Sequence, residues 1–189
     1  MKHRLLNTSA AAITAALFAS ASLGADADGR YAADAPGTVA CSVVTAHAPE
    51  SEPARILAGF AAGYMSAHSK LMEDVFDITP WQTPEYVMLQ ARRFCEANPT
   101  LRFTNALDAY VQFLEDDAVA SAQPMRPVTN SGQTVLLYDV TIAAIQAKLN
   151  ELGFPSPEGL EGLAAFQIDR GLNVTGVPDQ STLALLFGG

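Results

Sequence analysis

The sequence predicts an all-α fold: two small helical domains joined by a flexible linker and preceded by a cleaved signal peptide. Three observations predict it. Apolar residues recur at spacings of three and four on both sides of a central stretch, the period of a helix with one buried face. That stretch, residues 119–135 (VASAQPMRPVTNSGQTV), holds Pro124, Pro127, Gly132 and small polar residues with a single charge, and reads as a linker. The first two dozen residues have the layout of an export signal.

Met1-Lys2-His3-Arg4 is a short positive start, and Leu5 to Leu23 is alanine-rich and uncharged. The apolar run is too short for a convincing membrane span. Ser22-Leu23-Gly24 or Ala25-Asp26-Ala27 offers the small-x-small cleavage pattern, so residues 1–24 read as a signal peptide. No integral membrane segment is expected after cleavage. Loss of Lys2 and Arg4 leaves nine basic against twenty acidic side chains, a formal charge of −11. Such a surface lacks the basic stripe that phosphate binding needs, so no nucleic acid partner is expected.

Cys41 and Cys95 are the only cysteines. In an exported chain a disulfide persists, and with two cysteines its pairing is unambiguous if it forms. Closing a loop of about 55 residues would stabilise by ~4 kcal/mol in the chain-entropy model. The other reading is two unpaired buried thiols, which export makes the poorer one.

In the N-terminal block, Ser51 or Glu52 followed by Pro53 opens a helix. Ile56, Phe60, Tyr64, Ala67 and Leu71 form its expected buried stripe, with Gly59 and Gly63 beside it to admit another backbone. Thr83-Pro84 starts a second helix that buries Val87, Ala91 and Phe94 and ends at Asn98-Pro99. A third runs from about Thr104 and buries Leu107, Tyr110, Val111 and Leu114. At about 80 residues, such a domain is of a size at which a covalent staple matters.

In the C-terminal block, Ile142, Ile145, Gln146, Leu149 and Leu152 lie on one helix closed by Gly153, with Phe154 folding back on its last turn. Ser156-Pro157 opens the next helix, bearing Leu160, Leu163, Phe166 and Gln167, and Gly171-Leu172 closes it in the same way. Thr175-Gly176 is a turn, and Asp179 caps a last helix with Thr182, Leu183 and Leu186. Core positions are Ile145, Leu149, Leu163, Phe166, Leu172 and Leu186; Gly153, Gly171 and Gly176 supply backbone freedom. Gln146 and Gln167 are placed to hydrogen-bond loops.

These strings carry two resemblances. Cys41, Phe60-Ala61-Ala62-Gly63-Tyr64, Asp77, Val87, Phe94-Cys95-Glu96-Ala97-Asn98-Pro99 and Ala106-Leu107 resemble, over residues 38–118, the HdeA/HdeB-type periplasmic acid-stress chaperones. Phe60 stands where that family usually has tryptophan. Over 139–187 the string I-Q-x-x-L-x-x-L-G-F … L-x-x-F-Q-x-x-x-G-L-x-x-T-G-x-x-D-x-x-T resembles the three-helix peptidoglycan-binding domain. The family's Asp-Gly-x-Phe-Gly-x-x-Thr segment is reduced here to Pro155-Ser156-Pro157-Glu158-Gly159, in a loop that helps shape its surface groove. The domain boundaries so expected are 38–118, a linker at 119–138, and 139–187.

The resemblances imply a non-enzymatic protein of the bacterial periplasm. Its implied partners are peptidoglycan, held by the C-terminal domain, and acid-unfolded client proteins, held by the N-terminal one. Tyr138, Phe154, Asp169, Arg170, Asn173 and Thr175 are the candidate peptidoglycan contacts, by location near the turns and by polar or aromatic type. In strong acid the carboxylates lose charge while the cations remain, and loosening would expose Ile56, Phe60, Tyr64, Phe94 and Leu107. The alternative is a wall-tethered adaptor that positions a separate hydrolase or envelope complex. No catalytic residue, cofactor or metal is expected. After leader removal only His47 and His68 remain, without the spacing of a zinc site. Glu73, Asp74 and Asp77, like Glu115-Asp116-Asp117, read as solvated faces or helix ends rather than a glycosidase pair.

Overall fold

The computed structural model describes Asp26, Asp28 and residues 30–188. The signal peptide expected at residues 1–24 lies outside the described residues. The chain divides into two compact units after Tyr31. In the first, the Arg30 guanidinium lies 3.0 Å from the Asp26 carboxylate and 2.7 Å from that of Asp28. The backbone N–H of Arg30, bonded to Asp26, holds that carboxyl below the usual carboxylate range. The second unit, Ala32–Gly189, carries every described helix and strand.

The second unit is a mixed α/β fold, which corrects the all-α expectation. Four helices come first: α1 (Cys41–Ala46), α2 (Glu52–Leu71), α3 (Pro84–Ala97) and α4 (Phe103–Leu114), the last followed by a 3-10 turn at Glu115–Asp117. A hairpin of β1 (Met125–Asn130) and β2 (Gln133–Tyr138) follows, then α5 (Asp139–Glu151), α6 (Leu163–Asp169) and α7 (Gln180–Phe187). The hairpin occupies the segment read as a flexible linker. Ser131 and Gly132 both have positive φ, 48° and 81°, the backbone of the two-residue turn whose twist suits antiparallel strands. Asn130 pairs with Gln133, and the ladder runs to Met125 opposite Tyr138. From that register Pro127, opposite Leu136, faces the open edge, where its missing N–H costs no bond.

The first core lies among α1–α4, with Cys41, Leu57, Ala61, Met65, Ala91, Phe103, Leu107 and Leu114 buried. Ser51 and Thr83 cap α2 and α3, accepting from the N–H groups of Ala54 and Tyr86. Cys41 and Cys95 form a disulfide that ties α1 to α3. Arg92 supports the same joint: its guanidinium donates to the carbonyls of Val44 at 2.7 Å, His47 at 2.9 Å and Thr45 at 3.2 Å. It thereby satisfies acceptors that the end of α1 leaves open.

The stripe expected on α2 is out of phase. Ala54, Leu57, Ala61 and Met65 face the core, while Ile56 and Leu71 are exposed. Helices that approach closely favour small residues at the contact, and fully buried Ala61 and Ala91 supply them on α2 and α3. Gly59 and Gly63 lie on the open side, where an added Cβ would meet nothing within 4 Å. They admit no neighbouring backbone.

The second core joins Leu137 of β2 to Ile145, Leu149, Leu163, Phe166, Leu183 and Leu186. Ser156-Pro157 opens no helix, since α6 starts six residues later at Leu163. Trp81 packs against both cores. Across the same joint the Gln180 side-chain oxygen accepts from the Thr83 N–H at 2.8 Å, and Tyr138 Oη donates to Asp77 at 3.0 Å. Among the described residues no helix is long and apolar enough to cross a membrane.

Candidate functional site

The turns of the C-terminal module are organised by one buried amide. Gln167, fully buried on α6, presents two amide protons to three acceptors: Thr175 Oγ1 and the Val177 carbonyl at 3.0 Å, and Thr182 Oγ1 at 2.9 Å. Its oxygen accepts from the Gly176 N–H at 2.8 Å. Asp179 completes the network. One of its oxygens accepts from the Thr182 N–H and hydroxyl at 2.9 and 2.8 Å, and the other from Thr175 Oγ1 at 2.8 Å. Gly171 and Gly176 both have φ near +65° (66° and 65°), so the chain reverses at both ends of the 172–175 loop without Cβ strain. The hairpin tip closes on the same turn: Asn130 donates its side-chain amide to the Thr175 carbonyl at 2.8 Å.

The loop after α5 is equally tied down. Phe154 N–H reaches the Leu149 carbonyl at 2.8 Å across Gly153, whose φ is 84°. Ser156 is fully buried, accepting from Gln146 at its carbonyl and from the Gly162 N–H at its hydroxyl. Gly162 has no room for a side chain, since a Cβ there would lie 2.5 Å from the Phe154 carbonyl oxygen. The short segment Pro155–Gly159 therefore runs between points fixed to α5 and α6.

On this scaffold the six candidate contacts part company. Phe154 packs edge-on against Phe166, ring centroids 5.4 Å apart, and the Arg170 guanidinium sits 5.5 Å from the Phe166 centroid. Asp169 and Arg170 are adjacent, exposed and 3.5 Å apart, and Asn173 is exposed on the following loop. Phe154 and Arg170 thus both meet the fully buried Phe166 ring, and Asp169 lies beside Arg170. Thr175 is absorbed by the Gln167–Asp179 network. Tyr138 lies elsewhere, 6% exposed at the joint between the modules, its ring edge-on to Phe76. Burial pushes its phenol up to about 12, and the bond to Asp77 and the charge of Asp77 add to the shift.

Sequence reading set Gln167 on a helix, hydrogen-bonding a loop, but gave no sign that it ties the 175–177 turn and Thr182 of α7 together. It also missed the joint built by Asp77, Trp81 and Tyr138, whose signal was an aromatic run with no partner in its own helix pattern. In the N-terminal module, Tyr64 Oη donates to Asp108, and the His68 ring lies 4.7 Å from that of Tyr64 with Nδ1 3.0 Å from the Tyr64 carbonyl. Burial raises the Tyr110 phenol, with the nearby Tyr86 contributing. Among the described residues no three His, Cys, Asp or Glu side chains are grouped to hold a metal.

The structure thus defines a disulfide-stapled helical module joined to a hairpin and three helices with a fixed polar surface. The chain matches no protein-family model, and no curated protein or solved structure is found to match it.

Proposed function

We propose that this is a non-enzymatic exported protein that binds peptidoglycan through its C-terminal module. The observation that carries the reading is the grouping of Phe154, Arg170 and Asp169 around Phe166. A half-buried Phe154 ring and the exposed Arg170 guanidinium and Asp169 carboxylate offer both apolar contact and hydrogen bonding to a glycan or a stem peptide. Fixed loops lower the ordering cost of binding, and the Gln167 and Ser156 networks fix both loops that border the surface. Co-sedimentation of the mature chain with purified insoluble peptidoglycan tests this. Saturable pelleting supports it, and a chain that stays in the supernatant overturns it. Release of soluble muropeptides from the same wall would instead mark a hydrolase.

A second activity, holding acid-unfolded clients, is favoured by one observation on the N-terminal module. Ile56, Leu71, Leu89 and Phe113 are exposed large apolar side chains on α2, α3 and α4. Suppressed light scattering of a model client at low pH supports this activity; no suppression at low or neutral pH favours the wall-tethered adaptor.

A further inference from the structure

A groove of about 380 Å³ opens between α2 and α3, bordered by Ala54, Ala58, Glu85, Met88, Leu89 and Arg92. Ala54 and Ala58 stand one turn apart on α2, and their small side chains leave space that a larger pair would fill. Buried Met88 and exposed Leu89 make the α3 side apolar between two charges of opposite sign. Glu85 lies in the first turn of α3 and Arg92 two turns further on, so both stand on one helix face, roughly 10 Å apart along the axis. Neither has an ion-pair partner among the described residues.

Arg92 is only partly used by the fold. Its Nη1 donates to the Val44 and His47 carbonyls, and one N–H of Nη2 donates to that of Thr45. Its Nε–H and the other N–H of Nη2 have no acceptor among the described residues. The three carbonyls are neutral, so the guanidinium charge is not offset by them. Glu50 and Arg55 also border the groove, and the Arg55 guanidinium donates to the Glu50 carbonyl at 2.8 Å, so their opposite charges offset one another there.

These features select a ligand that is apolar in the middle and oppositely charged at its ends. A fatty carboxylate would lay an apolar tail against Glu85 with nothing to offset the desolvation, and an alkylammonium would do the same to Arg92. A carboxylate is the natural acceptor for paired guanidinium N–H groups. Three extended residues span roughly 10 Å, which matches the separation of the two charges on α3. We propose that this groove binds a short apolar peptide with both termini free. Its carboxylate meets Arg92, its ammonium meets Glu85, and its side chains lie against Met88 and Leu89. Such a ligand is neutral overall, so the net negative charge of the chain does not oppose it. The inference rests on the groove alone and stands or falls independently of wall binding.

The isotope-labelled full mature chain is titrated with the tripeptide Ala-Leu-Ala, with its C-terminal amide and with its N-acetyl form. Backbone amide and Arg92 Nε–H resonances are followed by nuclear magnetic resonance. Saturable shifts are expected at Glu85, Leu89 and Arg92 with the free tripeptide. The amide lacks the carboxylate that Arg92 would hold and is expected to bind about tenfold more weakly. Glu85 is exposed, so the N-acetyl form, and Glu85→Gln with the free tripeptide, are each expected to bind about threefold more weakly. Circular dichroism checks that this surface substitution leaves the fold intact. Three results overturn the proposal: no saturable shift at these residues, a blocked form that binds as tightly as the free tripeptide, or unchanged affinity in Glu85→Gln.

Discussion

Replacing Gln167 with leucine keeps nearly the same volume at a fully buried position and removes every polar contact that the side chain makes. The Gly176 N–H loses its acceptor, and the Val177 carbonyl loses a donor. Thr182 and Thr175 fare better, because Asp179 still accepts from both hydroxyls. One orphaned N–H and one weakened carbonyl, partly shielded from water, cost about 2–3 kcal/mol. Against a typical total of about 5–15 kcal/mol that is a large loss. For a chain of this size it lowers Tm by roughly 5–10 °C. Gln167→Glu is expected to cost more, since it adds a buried charge and loses both donors. Urea and thermal unfolding followed by Trp81 fluorescence measure it, because that ring packs on both cores. A leucine variant within about 0.5 kcal/mol of wild type, or a glutamate variant milder than leucine, would refute the network as the organiser of the turns.

The remaining predictions concern the joint, the staple and the open helix face. Tyr138 has a folded-state pKa of about 12 against an ordinary value of 10.0. Its contribution to stability is therefore complete below about 10 and is lost as pH rises through 10 to about 12. A phenolate absorbance titration should show a late-ionising tyrosine that Tyr138→Phe removes; an unchanged titration sinks the assignment. Arg92→Ala strips three carbonyls of their donor and should cost about 2 kcal/mol in urea unfolding, with Arg92→Lys recovering only part. Full recovery by lysine would contradict a forked cap. Gly63→Ala, on an open helix face, should raise stability by about 0.5–1 kcal/mol, and a loss there would mean that the face is covered.

The helices of the C-terminal module were legible because their punctuation is local. Gly153, Gly171 and Gly176 sit at positive φ, and Asp179 caps α7, each where its own sequence neighbourhood called for it. In α2 the apolar residues run almost all the way round, so side-chain size alone misplaced the buried face by one position. Which side of such a helix turns inward depends on neighbours that only the fold supplies. The hairpin was missed for another reason. Met125 to Tyr138 carries Pro127 and polar residues that resemble a linker, yet Thr134 to Tyr138 is a β-favouring run set off by Ser131-Gly132, and that signal was available. Its inner residue Leu137 completes the second core, so the segment belongs to the module it precedes. Among the expected contacts, Phe154, Arg170 and Asp169 gather around Phe166, whereas Tyr138 was drawn into the joint by Asp77, 61 residues away. No local pattern announces such a partner.

The central claim is that the exposed polar groups Asp169, Arg170 and Asn173 bind the cell wall. The most direct measurement compares wild type with Asp169→Ala/Arg170→Ala/Asn173→Ala in co-sedimentation with insoluble peptidoglycan, at matched stability. All three side chains are exposed, so the variant should keep its fold. The account predicts saturable pelleting of wild type and binding weakened by about tenfold or more in the variant. Equal pelleting of the two, or none by wild type, would contradict it.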